Sequence, residues 1–536
     1  RIFAPTADFL RVTYDAVYGG HCQSNAIGTL PEPENKTFFD FNGEYSGLMT
    51  GLFPYGRIET ITSQELTDFN ILVNEKFKNP EAKFNDLFPF LVKAKLKAPK
   101  DTRKHYCLPN VPERDSKNCL SWSNRSKLGY YYCKDIFCAI HYYDYEVEIL
   151  DDPYNHKYED WRMLFKDYVV FCQNLKITGK KEKNTIKENI GKLFGNALYG
   201  YQIKKPDRDK SQIILNRTDF TQFRHLEICG FIKITHIVCR KDIVNANCVL
   251  NKHREIQNTT LDIIDDSVDG LYLYNTNFRP VNYWTEQENE IDFPILLKYS
   301  KLNAFELECN TLPQNGVDVL SCSRLLNSEL YFGMLITEDE LKLPIEKRLP
   351  IVYYTDTDSF MVDVTRIMDK YYSNKNVCFN ELTFKYEPWG KNEFKDKNNQ
   401  DFIPKKILLA GKKLYCCIGP NNEIKCASKG VDSYNIVRES QKQNCDSTPA
   451  VEEFIKKFEK LIELETVSFK QDSMQKDFKT YSITKQCIER KLKLSDLPMI
   501  CYRSVEGCDY YRPYNDEDEI PVITEIEMNA EDVFVM

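Results

Sequence analysis

The octapeptide YYTDTDSF, residues 353–360, decides how this chain is read. Asp356 and Asp358 stand one residue apart. The apolar run Ile351–Tyr354 leads into them, and the alternating residues Phe360, Val362 and Val364 lead out. That pattern predicts two short strands joined at the acidic step, a hairpin holding both carboxylates at its tip. Side chains alternate along a strand, so Asp356 and Asp358 are expected to point the same way. Two anions on one side repel unless a cation stands between them. A hard divalent ion such as Mg2+ takes oxygen ligands of this kind and leaves room for phosphate. An Asp-rich turn with solvated carboxylates has the same spacing, so the rest of the chain must discriminate.

At 536 residues the chain exceeds one compact core, and two to four domains or subdomains are expected. No run of about 18 apolar residues occurs, so no membrane span is expected. The 19 cysteines lack regular spacing, which favours reduced, buried thiols in an intracellular protein over a disulfide framework. A net charge of −8 argues against a wholly basic surface, but nucleic acid binds in local grooves.

Outward from the hairpin, residues 316–336 read as a mostly buried helix feeding it. Near the start, Ala7–Val17 reads as a helix and is followed by Tyr18, Gly19 and Gly20, where the glycines allow a tight turn or close backbone approach. In TFFDFNGEY, residues 37–45, Phe38, Phe39 and Phe41 flank Asp40, giving a buried strand that ends in a carboxylate. The alternating lysines of KAKLKAPK, residues 93–100, suit a strand with one cationic face, either tracking phosphates or guarding a solvated edge. Cys107, Cys119, Cys133 and Cys138 lack a CxxC pair and are weak zinc candidates. Trp161–Gly200 reads as helical. Its second helix is capped at Asn184 or Thr185, with Lys192, Asn196 and Tyr199 on one face and an apolar packing face of Ile186, Ile190, Leu193 and Ala197. Residues 386–403 read as a charged loop. Residues 403–418 read as a hairpin turning at Ala410–Gly411, with Lys413 and Tyr415 on one face of its second strand. Thr448 and Pro449 open an amphipathic helix with a stripe at Val451, Phe454, Ile455, Phe458, Leu461 and Ile462. The acidic tail from Asp516 is expected to be loosely held.

In order, the motifs run Y-G-G, D-F-N-x-x-Y, K-x-x-x-N-A-x-Y-G, Y-T-D-T-D-S and K-L-Y. That succession resembles the family B DNA polymerases, and within them the protein-primed branch of linear-genome viruses, linear plasmids and large mobile elements. KLFGNALYG (192–200) and YYTDTDSF carry the resemblance most specifically. Residues 130–150, 317–329 and KGV at 429–431 echo it more weakly, and 201–315 do not match. The resemblance implies an α+β polymerase hand with an antiparallel-sheet palm and short helical fingers and thumb. The palm would comprise 1–60 and 316–420, the fingers 161–202, and the thumb and tail 421–536. Inserted regions would occupy 61–160 and 203–315. Fewer than 20 residues precede Gly19, so no exonuclease domain is expected in this chain.

The resemblance also implies roles. Asp40, Asp356 and Asp358 would be catalytic metal ligands for two Mg2+ ions, which Mn2+ could replace. Tyr45 would lie under the incoming sugar, Lys192 would hold the triphosphate, and Asn196 and Tyr199 would shape the nucleotide pocket. Tyr18, Gly19 and Gly20 would form a template-side loop, while Lys413 and Tyr415 would steady the primer terminus. Implied partners are template and primer DNA, deoxynucleoside triphosphates and a terminal priming protein. The implied activity is DNA-directed DNA synthesis by two-metal phosphoryl transfer. A decayed polymerase fold that binds DNA without synthesis is the alternative. It is motivated by Gly43, Glu44 and Ser46, which replace the family's Ser, Leu and Pro. Gly43 is expected to loosen the turn carrying Tyr45, and Glu44 to add charge near the triphosphate path.

Overall fold

The computed structural model describes residues 7–41, 43–114, 120–204, 209–238, 273–274, 295–301, 311–366, 390–392, 402–420, 423–428, 449–463, 465–477, 482–492, 499–505 and 507–518. The chain divides into two compact units, one of residues 1–204, 311–470 and 489–536, the other of 205–310 and 471–488. Among the described residues no helix is long and apolar enough to cross a membrane.

The first unit is α+β. Its central sheet has the strand order β1-β15-β16-β3-β17: β1 (Cys22–Ser24), β15 (Tyr354–Asp356), β16 (Ser359–Asp363), β3 (Lys36–Phe41) and β17 (Gly390–Asn392), all antiparallel. The predicted acidic hairpin is thus β15–β16, and the predicted strand around Asp40 is its neighbour. Phe39, Phe41, Phe360 and Val362 are buried in one core and Phe38 and Met361 in another, so the sheet is covered on both faces. The charged loop expected at 386–403 contributes β17, with Lys391 opposite Asp40. The rest of that stretch, except 402–403, lies outside the described residues.

A second sheet runs β4 (Phe53–Thr60), β10 (His156–Arg162), β5 (Phe90–Lys97) and β8 (Lys127–Tyr132), and β9 (Glu146–Ile149) also pairs with β5. The lysine-rich strand β5 is therefore interior, not an edge. Its cations meet carboxylates: Lys93 meets Asp152, and Lys97 meets Glu146 and Glu148 on β9. β6 (Pro112–Arg114) and β7 (Leu120–Trp122) form a small ladder. A six-stranded sheet orders β20 (Ile424–Ser428), β19 (Leu414–Ile418), β18 (Lys406–Gly411), β2 (Ala26–Thr29), β24 (Cys508–Pro513) and β23 (Met499–Val505). Its hairpin turns at Lys412–Lys413, not at Ala410–Gly411. Gly411 sits at a register shift in β18, and Lys413 takes the turn with φ 56°.

Among the described residues, besides a short α-helix at Glu338–Lys342, the α-helices are α1 (Ala7–Asp15), α2 (Glu44–Leu48), α3 (Leu66–Lys78), α4 (Cys133–His141), α5 (Lys166–Lys181), α6 (Thr185–Gln202), α7 (Arg217–Ile228), α8 (Pro313–Leu330) and α9 (Pro449–Ile462). Trp161 lies in β10, which runs to Arg162, so helix begins only at Lys166. Asn184 caps α6, its side chain accepting from the Lys187 N–H. The expected packing face of α6 is reversed: Ile186 is 72% and Leu193 63% exposed, and Gly191 and Gly195 are buried instead. A Cβ at Gly191 would lie 2.6 Å from the Lys176 nitrogen, so α5 and α6 approach too closely for a side chain there. Helix α8 is buried nearly all round and packs against α1, α2, α4 and α6. Phe454, Phe458 and Leu461 of α9 are buried as its stripe predicts; Thr448 and the 429–431 motif lie outside the described residues, as does most of the acidic tail.

Cys107, Cys133 and Cys138 are buried thiols whose pKa values burial raises, and Cys119 lies outside the described residues. The second unit contains a sheet ordered β11 (Asp209–Ile214), β14 (Ile295–Lys301), β12 (Ile232–Val238) and β13 (Leu273–Tyr274), with Phe220 of α7 in its core. β21 (Val467–Asp477) and β22 (Ser482–Leu492) pair with each other.

Candidate active site

The sheet brings Asp40 and the acidic hairpin together. Asp40 lies opposite Ser359, and the Phe41 N–H donates to the Asp358 carbonyl at 2.9 Å. Asp356 is the last residue of β15, but Thr357 and Asp358 form the turn, with Thr357 at φ 64°. The strand-alternation argument for the two aspartates therefore does not apply; the turn itself sets where Asp358 stands. Burial, then the neighbouring charge of Asp356, raises the Asp358 pKa. Lys413 answers Asp356, its Nζ 3.3 Å from Oδ1. Among the described residues no three His, Cys, Asp or Glu side chains form a ready-made metal cage.

Three contacts hold Thr357 at the tip. Its N–H donates to the His21 carbonyl at 2.6 Å, its carbonyl accepts from Asn327 Nδ2 at 2.7 Å, and Gly20 packs on its side chain. A Cβ on Gly20 would lie 2.5 Å from both Thr357 Oγ1 and Cγ2. So the glycine after Tyr18 and Gly19 is where backbone must approach the Thr357 turn. Gly20→Ala is expected to push that turn and cost about 1–3 kcal/mol. Adding Thr357→Gly, which removes the obstruction and suits the positive φ, should restore most of the loss in a denaturant titration.

The loop is also anchored from behind. Arg324, wholly buried on α8, donates from Nη1 to the Tyr18 and Gly19 carbonyls (2.6 and 3.3 Å) and from Nε and Nη2 to Asp135 (2.8 and 3.0 Å). The Tyr18 ring is 3% exposed and stacks on Tyr131, so it has no face left for a base. Tyr415 is likewise buried, against Phe38 and Tyr354. His21 is stacked on Trp122, and burial lowers its pKa to about 3, so it adds no charge beside the hairpin.

On the other side, Gly43 takes φ 62° and ψ 45° at the start of α2. It does not loosen the turn; it supplies a left-handed cap that L side chains rarely adopt. Tyr45 then meets Tyr199 of α6, ring centroids 4.6 Å apart, while Asn196 and Lys192 of the same helix are exposed. Glu44 faces inward, close enough to Asp358 and Asp40 to feel their charges. It is 2% exposed, neither carboxylate oxygen has a hydrogen-bond partner, and the nearby Ser323 hydroxyl makes no bond of acceptable geometry. Burial, then the charges of Asp358 and Asp40, raises its pKa well above the ordinary range. A raised carboxylate pKa stabilises the fold below the unfolded-state value, and that stability is lost as pH rises through the folded-state value. With chelator present, wild type should lose stability as pH climbs above the ordinary carboxylate range. Glu44→Leu should flatten that slope, leaving the part Asp358 contributes, and gain on the order of 2 kcal/mol at high pH, read from melting curves across pH.

Motif spacing does not point to the positions that Glu44, Arg324 and Asn327 take. The one available signal was a charged residue inside the small-residue and apolar stretch SCSRLLNSE.

Residues 2–279 match the family model for DNA polymerase type B, organellar and viral, and the chain belongs to that family. It is 24% identical over 377 residues to the DNA polymerase of Bovine adenovirus 2, covering 67% of this chain and 36% of that protein. It is 25% identical over 383 residues to the DNA polymerase of Human adenovirus E serotype 4, covering 66% and 30%. The chain thus spans about a third of the length of these relatives. A solved complex of Phi29 DNA polymerase with primer-template DNA and incoming nucleotide is 11% identical, with a TM-score of 0.46, covering 92% of this chain and 64% of that one.

Proposed function

We propose that the chain is a template-directed DNA polymerase that extends a primer 3′-hydroxyl with deoxynucleotides, in replication primed by a terminal protein. One observation carries this: Asp40 and the Asp356–Asp358 hairpin, remote in sequence, are adjacent in one sheet. The donor set suits Mg2+ or Mn2+, because it offers carboxylate oxygens whose mutual repulsion a hard divalent cation would relieve. Mg2+ commonly takes one or two carboxylates and completes its shell with water and substrate phosphates, so a protein cage of three ligands is not required. Asp40 and Asp358 would hold it, with Asp356 beside them. When bound, the metal pair lowers the pKa of the primer hydroxyl and neutralises the triphosphate and its leaving group.

The remaining residues bind and orient. Lys192, exposed on α6, is suited to a phosphate. Tyr45, backed by Tyr199, forms a flat floor for a deoxyribose and a steric bar to a 2′-hydroxyl. Lys413 stands beside Asp356, where a primer terminus would end. The Tyr18-Gly19-Gly20 loop works through its backbone, holding the turn on the template side.

The test is extension of a labelled primer on a defined template with Mg2+ and the four deoxynucleotides. Template-dependent extension that stops on chelation is expected. Tight DNA binding without extension would instead mark a polymerase fold that has lost catalysis.

A further inference from the structure

Ser46 stands where the family's first motif usually has proline, and the structure gives it a specific partner. Its hydroxyl is buried and donates to Asn196 Oδ1 of α6 at 3.0 Å. Gly195 makes the approach feasible: a Cβ there would already be 3.1 Å from Ser46 Oγ. One residue earlier on α2, Tyr45 meets Tyr199, one turn along α6 from Asn196. So Ser46 and Tyr45 grip one face of α6 at two successive points. A proline at 46 would supply no hydroxyl and could not make the first contact.

The bond also decides what Asn196 can offer. A carboxamide has one acceptor end and one donor end. With Oδ1 engaged by Ser46, the NH2 group is the end left for a ligand, and Asn196 is exposed. An N–H pair suits the acceptor oxygens of a phosphate or sugar.

We infer that Ser46 is a positioning residue for the incoming nucleotide: it latches α6 onto α2 and turns the Asn196 amide so that its donors face the nucleotide pocket. This rests on the polymerase function proposed above. Ser46 itself touches no substrate; it acts through Asn196 and through the Tyr45–Tyr199 contact it keeps in register.

The experiment compares the full chain carrying Ser46→Ala, Asn196→Ala, both together, and Asn196→Asp, which keeps the acceptor for Ser46 and removes the donors. Single-nucleotide extension gives KM and kcat for a deoxynucleotide and the matching ribonucleotide. Equilibrium binding of a fluorescent dATP to the complex with a dideoxy-terminated primer gives affinity without turnover. Ser46→Ala is expected to raise the deoxynucleotide KM and the fluorescent-dATP Kd about five- to tenfold, with kcat within twofold, and to weaken discrimination against the ribonucleotide. Asn196→Asp should weaken binding at least as much, and the double alanine variant should be no worse than Asn196→Ala alone. An unchanged KM and Kd in a Ser46→Ala protein that melts lower would show a merely structural contact and overturn the inference. So would full additivity of the two alanine substitutions. Wild type that binds dATP but does not extend would defeat the polymerase proposal alone, and the binding arm would still decide the latch. Wild type that does neither would defeat both.

Discussion

Asp358→Asn is expected to abolish primer extension, lowering kcat at least ~10^3-fold, while primer–template binding should stay within about threefold of wild type. The substitution keeps size and removes one negative charge, so it tests charge at the turn and little else. On the proposed function, DNA affinity would rest on cationic contacts that this change does not touch. A second readout follows from the electrostatics of the empty and loaded protein. Burial and the charge of Asp356 already disfavour ionised Asp358. In chelator, therefore, Asp358→Asn should melt higher than wild type, because one member of a repelling cluster has gone. Added Mg2+ should reverse the order, since a cation bound to the native state stabilises in proportion to ln(1 + [Mg2+]/Kd), and the variant has lost a ligand. Normal incorporation by Asp358→Asn, or a wild-type melting temperature indifferent to Mg2+, would remove Asp358 from the site. Asp356→Asn is a less clean test, because it also releases Lys413.

What was legible in the sequence was whatever depends on local period and turn chemistry. The alternating residues around Asp356 and Asp358, the phenylalanines around Asp40 and the apolar length of α8 each produced the element they imply. The misreadings share a cause: a neighbour overrode the local pattern. Ile186, Ile190 and Leu193 form a good helical stripe, yet α6 packs through glycines, because α5 comes closer than any side chain permits. The lysines of β5 look like edge guards, yet β9 supplies the glutamates that let the strand sit inside a sheet. Gly411 attracts a turn assignment, but the turn falls on Lys412–Lys413, where a lysine adopts positive φ beside the Asp356 it pairs with. Glu44 shows the limit most directly. Next to a tyrosine motif it reads as added charge near the triphosphate path, and only the packing of α2 against α8 shows that it is buried.

The second large effect is on the fold itself. Arg324→Leu should destabilise the chain by about 3–5 kcal/mol, because it leaves the Asp135 carboxylate buried without its guanidinium partner. Ser321 still donates to Asp135 at 2.6 Å, but one hydroxyl cannot replace a charge-matched fork. Removing both charges, in Arg324→Leu with Asp135→Leu, should recover more than half of the loss, as a buried pair is often matched by apolar side chains of similar volume. The two variants separate stability from function. The double variant still lacks the donors to the Tyr18 and Gly19 carbonyls, and those bonds hold the loop whose next residues, Gly20 and His21, fix Thr357 at the hairpin tip. Its stability should return while extension remains at least tenfold down. If stability and extension return together, the Tyr18–Gly19 anchor is dispensable, and Asn327, His21 and Gly20 fix the turn without it. If Arg324→Leu unfolds within about 1 kcal/mol of wild type, the Arg324–Asp135 pair does not hold α8 in place.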